Sequence, residues 1–162
     1  MRVAARLLAV LLAVALIAAP VEAALELSTD HRSLSFGLMQ SGEEKMLAQS
    51  GSYQTEVTCL STNGATWYLK ISLLRPLASG GEIISPEQFA WQVTGSDGVG
   101  TVVSSTEFRS FSMVPELVYI SGAGEANGQP VRLRLRYMLK VPEAQISGLF
   151  QAAVRFTLTE VN

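Results

Sequence analysis

The stretch from Val131 to Val141 alternates between apolar and polar residues with almost no interruption. A period of two is typical of a half-buried β-strand, because successive side chains along a strand point to opposite faces. The alternation resumes from Phe150 to Leu158, after Pro142 and Gly148. The end of the chain therefore favours two long strands of antiparallel type.

Shorter alternating segments, separated by turn residues, fill the rest of the chain, for example Tyr53–Leu60, Thr66–Leu74 and Leu117–Ile120. Closely spaced strands with turn signals between them are the pattern of a sandwich or barrel. We predict an all-β fold, an Ig-like antiparallel β-sandwich of about seven to nine strands. Asn63-Gly64 predicts a hairpin turn.

The first 23 residues have the features of a secretory signal peptide. Arg2 and Arg6 precede an apolar run from Leu7 to Ala19, and Val21-Glu22-Ala23 offers small residues for cleavage. An uncleaved N-terminal anchor is the alternative. We predict cleavage after Ala23, a single β-sandwich domain over residues 24–162, and a secreted, periplasmic or cell-surface location in a bacterium.

The charge of the predicted mature chain argues against a nucleic-acid partner. Residues 24–162 hold 10 basic and 13 acidic side chains, a net charge of −3, without a basic run. No apolar run after the signal peptide approaches the length that a membrane span needs. We expect a processed chain that does not span the membrane.

Cys59 is the single cysteine, so the chain has no internal disulfide. It shares an alternating face with Val57, which favours a small buried apolar residue. An intermolecular disulfide is the alternative.

The chain lacks the residue sets of common enzymes. His31 is its single histidine, and no Gly-x-Ser-x-Gly turn is present. His and Cys are too few for a zinc site, and the mature chain has two aspartates, too few for an Asp-rich calcium loop. A glycosidase would need a carboxylate pair, and no spacing singles one out among Glu82, Glu87, Glu107, Glu116 and Glu125. We predict a non-enzyme without a catalytic residue, metal or cofactor.

Two sets of residues are candidates for binding. The first is a row of cations on one face of a strand, which suits a polyanion such as an acidic polysaccharide: Arg132, Arg134, Arg136 and Lys140. The alternative is a solvated outer face paired with glutamates of neighbouring strands. The second consists of two aromatic residues, Trp91 and Tyr119, which are candidates to contact a glycan. The alternative for Trp91 is a place in the core, where we also predict Trp67, because each lies on the apolar face of its strand.

The C-terminal residues carry a family resemblance. They are Tyr137-Met138-Leu139-Lys140-Val141-Pro142, then Gln145, Gly148, Phe150 and Arg155-Phe156-Thr157-Leu158-Thr159. This ending resembles bacterial surface β-sandwiches: pilin-like subunits, spore-coat-U-like domains and WxL domains. Trp67-Tyr68-Leu69 is similar to a WxL motif, but a second such motif near the C-terminus and a partner for Cys59 are absent. The resemblance implies an exported structural surface domain.

The pilin resemblance further implies assembly by strand donation, in which a segment of one subunit completes the sheet of the next. The donor candidate is Ala24 to Phe36, with these anchors: Leu25, Leu27, Leu34 and Phe36. The pattern breaks at Asp30-His31-Arg32, and the chain has its own final strand, which favours a self-contained monomer.

We expect a non-catalytic, exported cell-envelope protein with a structural or adhesive role, such as a fimbria-like or surface-layer subunit. Its expected partners are other cell-surface proteins, or itself, through sheet edges. The alternative is a secreted carbohydrate-binding module.

Overall fold

The structure is a computed structural model that describes residues 24–31, 33–48, 52–79, 81–145 and 147–161. The predicted signal peptide, residues 1–23, lies outside the described residues. A short 3₁₀ helix covers Pro86–Gln88. The strands of the described residues are, in chain order, β1 (Leu25–Thr29), β2 (Ser33–Met39), β3 (Glu44–Leu47), β4 (Thr55–Ser61), β5 (Tyr68–Leu73), β6 (Leu77–Ser79), β7 (Glu82–Ile84), β8 (Phe89–Ser96), β9 (Thr101–Val102), β10 (Arg109–Ser110), β11 (Glu116–Ile120), β12 (Val131–Lys140) and β13 (Gly148–Thr159).

Two antiparallel sheets pack face to face. The first sheet has the order β1-β4-β12-β8-β10, and β3 pairs with the end of β12 that lies beyond β4. The second sheet has the order β2-β13-β5-β11-β9, and β6 and β7 form a separate ribbon. One hydrophobic cluster, to which both sheets contribute, fills the space between them. The prediction of an all-β sandwich is confirmed.

The alternating segment that begins at Val131 forms β12, which lies in the middle of the first sheet. Its inner residues, Val131 to Leu139 in steps of two, are fully buried, and its arginines face outward. The rings of Phe36 on β2 and Phe89 on β8 meet edge to face across the two sheets, 5.5 Å apart. Trp67 and Trp91 are fully buried, as is Cys59, which confirms their predicted places in the core.

The structure has more strands than the seven to nine predicted, because pieces of two to four residues count as strands of their own, as β9 and β10 show. The predicted hairpin at Asn63-Gly64 is wrong. Gly64 has the positive φ of 73° that the pair allows, but β4 and β5 belong to different sheets. The turn therefore carries the chain from one sheet to the other instead of closing a ladder.

Candidate functional site

The two aromatic residues predicted to contact a glycan are both fully buried. Trp91 lies opposite Tyr137 in the ladder between β8 and β12, on the face that points into the core. The ring of Tyr119 packs against Trp67, with 5.4 Å between ring centroids. The prediction of glycan contacts at Trp91 and Tyr119 is therefore wrong, because both rings stand on the inner faces of their strands.

The predicted row of cations does lie on the outer face of β12, but acidic neighbours pair with much of it. Arg134 Nε donates to Glu56 Oε2 at 2.9 Å, and this bond is the main reason why the pKa of Arg134 is raised. Arg132 lies 3.8 Å from Asp97 and 4.0 Å from Glu56. Such cross-strand pairs favour the alternative interpretation, in which the row is a solvated face paired with carboxylates.

The remaining two cations of the row also have neighbours. Arg136 Nε donates to Gln92 Oε1 at 2.9 Å, and its guanidinium lies 5.2 Å from the centre of the Phe108 ring. Lys140 is exposed and stands opposite Glu44 in the ladder with β3. Binding of a polyanion by this face stays a prediction.

The sequence analysis missed a buried carboxylate at one end of the sandwich, Glu125, whose side chain has no exposed surface. It accepts hydrogen bonds from the backbone N–H of Val99 at 2.6 Å and of Gly122 at 2.5 Å. The Tyr119 hydroxyl lies 2.9 Å from Glu125 Oε1, and it accepts a bond from the N–H of Gly100 at 2.7 Å. We call these five residues the Glu125 cluster.

Close packing fixes the backbone around the Glu125 cluster. A Cβ atom built on Gly98 would lie 2.1 Å from the Tyr119 hydroxyl, and one on Gly100 would lie 2.2 Å from the Ile120 carbonyl oxygen. The glycines between Gly95 and Gly100 were the signal that something approaches this loop closely. The cluster ties two loops together and satisfies the buried carboxylate, which is a structural role.

Free strand edges form a second feature, along one side of the sandwich. Residues 148–153 of β13 pair with β2, whereas residues 154–159 pair with β5 on the other side. β2 begins at Ser33, opposite Ala153, so within the described chain no strand continues beside residues 154–159. The edge strand β1 of the first sheet lies across from this stretch. We call the opening between β1 and residues 154–159 the seam.

The seam is an apolar groove of about 400 Å³ with a strand edge on each lip. Leu27 of β1 and Val154 and Phe156 of β13 are among the residues that line it. Leu25 and Leu27 point inward, opposite the buried Ser61 and Cys59, yet keep 36% and 37% of their surface exposed. β1 is the edge strand of its described sheet, and a further strand beside it would cover these side chains.

Other edges of the described sheets are better protected. The ladder between β2 and β13 is irregular near Gly37, which has a positive φ of 72°, and Lys45 Nζ donates to the outward carbonyl of Phe36 at 2.6 Å. The opposite edges of both sheets are the two-residue strands β9 and β10. Bulges, lysines and short strands all discourage pairing with a further strand. The seam has the longest stretch without such protection.

The four predicted anchors of a donor strand do not lie on one strand. Leu25 and Leu27 are in β1 of the first sheet, while Leu34 and Phe36 are buried core residues of β2 in the second sheet. The chain passes from the first sheet to the second between Thr29, the end of β1, and Ser33, the start of β2. The prediction of one continuous donor from Ala24 to Phe36 is therefore wrong, since half of it fills the chain's own core.

We also searched the described residues for a metal site, for contacts of the single histidine and for a membrane-spanning helix. Within them, no three His, Cys, Asp or Glu side chains come close enough together to hold a metal ion. His31 Nδ1 lies 3.1 Å from Asp30 Oδ1, in the turn between β1 and β2. None of the helical structure described in this chain is long and apolar enough to cross a membrane. No protein-family model, curated protein or solved structure matches the chain.

Proposed function

We propose that this chain is an exported, non-catalytic protein of a bacterial cell envelope, with a structural or adhesive role that depends on pairing at a sheet edge. The observation that carries the proposal is the seam. Within the described chain, residues 154–159 of β13 have no strand on their second side and lie beside partly exposed apolar side chains, where most monomeric β-proteins block their edges. An Ig-like topology and a fimbria-like or surface-layer assembly belong to the same proposal.

Export is supported by the sequence features of residues 1–23. Sparse charge, with Ser, Thr and Gly common, is the usual composition of an extracytoplasmic β-domain and agrees with export. A carbohydrate-binding module is a weaker candidate, because both aromatic residues assigned to that role are buried.

The experiment compares two variants that carry the same substitution on different edge strands. Leu27→Lys places a charge in the seam, and Leu38→Lys places one on β2, where Leu38 is 70% exposed. The full chain is expressed in bacteria, the extracytoplasmic fraction is collected, and complexes are sized by gel filtration with light scattering. We expect a processed chain beginning near Ala24, and complexes that Leu27→Lys abolishes and Leu38→Lys retains.

Two results would contradict the proposal. One is an uncleaved chain that stays in the cytoplasm. The other is equal association by the two lysine variants, which would show that the seam is not the pairing edge. Deletion of Ala24 to Phe36 would be a poor test, because it removes Leu34 and Phe36 from the core and unfolds the domain.

A further inference from the structure

We infer that the seam is occupied by a second copy of this chain, related to the first by a twofold axis parallel to the strands. The inference rests on the proposed function and adds the identity of the partner and the register of pairing. Four observations support it: the number of free edges, the strand directions, the strand lengths and the charges.

The seam has two free strand edges, one from each sheet. β1 pairs with β4, and residues 154–159 pair with β5; in the described chain each has no other ladder. A single extended peptide would pair with one edge and leave the other open. A second copy pairs both edges at once, because each copy offers the strand that the other lacks, as a self-complementary twofold interface requires.

The strand directions are correct for this pairing. β4 is antiparallel to β1, and the turn of residues 62–67 returns the chain as β5 in the other sheet, so β5 runs in the direction of β1. β13 is antiparallel to β5 and therefore runs opposite to β1. A twofold axis parallel to the strands preserves their directions. β1 of one copy then meets β13 of the other as an antiparallel neighbour.

The strand lengths select a register. β1 has 5 residues, and the free part of β13 runs from Val154 to Thr159, where β2 no longer covers it. We consider the antiparallel registers in which every residue of β1 has a partner within this stretch of β13. One of them pairs both leucines of β1 with large apolar residues. Its inner pairs are Leu25 with Leu158, Leu27 with Phe156, and Thr29 with Val154.

The charges on the outer faces are complementary in this register. Glu26 lies opposite Thr157, so its diagonal neighbour is Arg155, and long side chains reach across a diagonal of about 7–8 Å. Both residues are exposed, and neither forms an ion pair with another described residue of its own copy. The twofold axis repeats the contact, so the interface gains two pairs of opposite charge.

Disulfide trapping tests the register with the substitutions Glu26→Cys and Thr157→Cys in one chain. These side chains point outward from different sheets, so they cannot bond within one copy, and the native Cys59 is buried. The double variant, purified after export and oxidised, should form a covalent dimer that reductant dissolves. Each single variant should stay monomeric on a non-reducing gel. A dimer from one single variant alone, or none from the double variant, would overturn the register.

Charge reversal tests the same interface without a new bond. Sedimentation equilibrium should show that Glu26→Arg, or Arg155→Glu, raises the dimer dissociation constant by roughly tenfold. The two substitutions together should restore it, and Glu107→Arg, on an exposed loop, is the control that should change nothing. Reversals that leave the constant unchanged, or a double variant without rescue, would overturn the inference.

Failure of this inference can be told apart from failure of the proposed function. A purified chain that stays monomeric at every concentration overturns the second copy as the occupant. If envelope complexes with a different protein are then lost in Leu27→Lys and kept in Leu38→Lys, the seam is still a pairing edge. If neither kind of complex depends on Leu27, both the function and the inference fail.

Discussion

The Glu125 cluster and the seam show how differently one small sandwich treats two of its boundaries. At the cluster, a buried carboxylate has hydrogen-bond donors from two loops and a tyrosine, and the neighbouring glycines leave no space for a Cβ atom. At the seam, six residues of β13 have a neighbour on one side, and two leucines that point inward keep over a third of their surface exposed.

The two regions differ in whether their hydrogen-bonding groups need partners from within the same molecule. A buried polar group without a partner is costly, so the Glu125 cluster must be satisfied within one molecule. An unpaired strand edge that is exposed to water costs little free energy, because water forms hydrogen bonds with its N–H and C=O groups. Such an edge gains from a partner when the partner also covers apolar surface.

The largest expected effect comes from breaking the cluster with Glu125→Ala. The change leaves the N–H groups of Val99 and Gly122 and the hydroxyl of Tyr119 without their acceptor. Since each orphaned buried donor costs about 1–3 kcal/mol, the free energy of unfolding should fall by about 4 kcal/mol. Urea unfolding followed by circular dichroism measures it. The exposed Glu107→Ala should cost less than about 0.5 kcal/mol, and equal losses would show that the cluster is not a special support.

The two halves of β13 sharpen the comparison within one strand. Phe150 is fully buried beside β2, whereas Phe156 is partly exposed at the seam. Phe150→Ala should lower the free energy of unfolding by about 4 kcal/mol, and Phe156→Ala by about 2 kcal/mol because less surface leaves a packed environment. Denaturant titration at a concentration where the protein is monomeric is the check. A Phe156→Ala loss as large as that of Phe150→Ala would mean that the seam is closed in solution.

Alkaline pH gives the smallest effect and draws on both regions. Burial raises the pKa of the Cys59 thiol, on β4 opposite Leu27 of β1, from 9.0 to about 12. Burial, aided by the hydrogen bond to Glu125, raises the pKa of Tyr119 from 10.0 to about 12. The unfolded chain loses these protons first, so both contributions are intact below about pH 9 and decline as the pH rises toward 12.

By pH 10 the expected loss in the free energy of unfolding is between about 1 and 2 kcal/mol, mostly from Cys59. Cys59→Ala should remove the decline that begins near pH 9, and Tyr119→Phe should remove a part that begins near pH 10. Urea unfolding across this range separates the two. A flat profile in the parent protein would show that neither group is protected from solvent.

Periodicity was a good guide to β12 and β13 and a poor one to which residues are available for binding. Trp91 and Tyr119 stand on the inner faces of their strands, which agrees with the apolar alternation around Trp91 and contradicts the assignment of glycan contacts. In the sequence Glu125 resembled any other loop glutamate. One of its hydrogen-bond donors, the N–H of Val99, is 26 positions away, and only the folded chain brings the two together. The alternation along β13 also does not show that residues 148–153 pair with β2 and residues 154–159 with β5.

The sequence by itself therefore determined the local properties of this protein: its long strands, its turns and the residue types available for a site. The period of two predicted the long strands, turn residues indicated their limits, and composition argued against the common metal and nucleophile sites. The tertiary structure decided which strands are neighbours, that the chain changes sheets between β1 and β2, and which edge has no partner among the described strands. The physical reason is that strand pairing joins residues far apart in the chain, and the backbone groups that form it are the same in every residue.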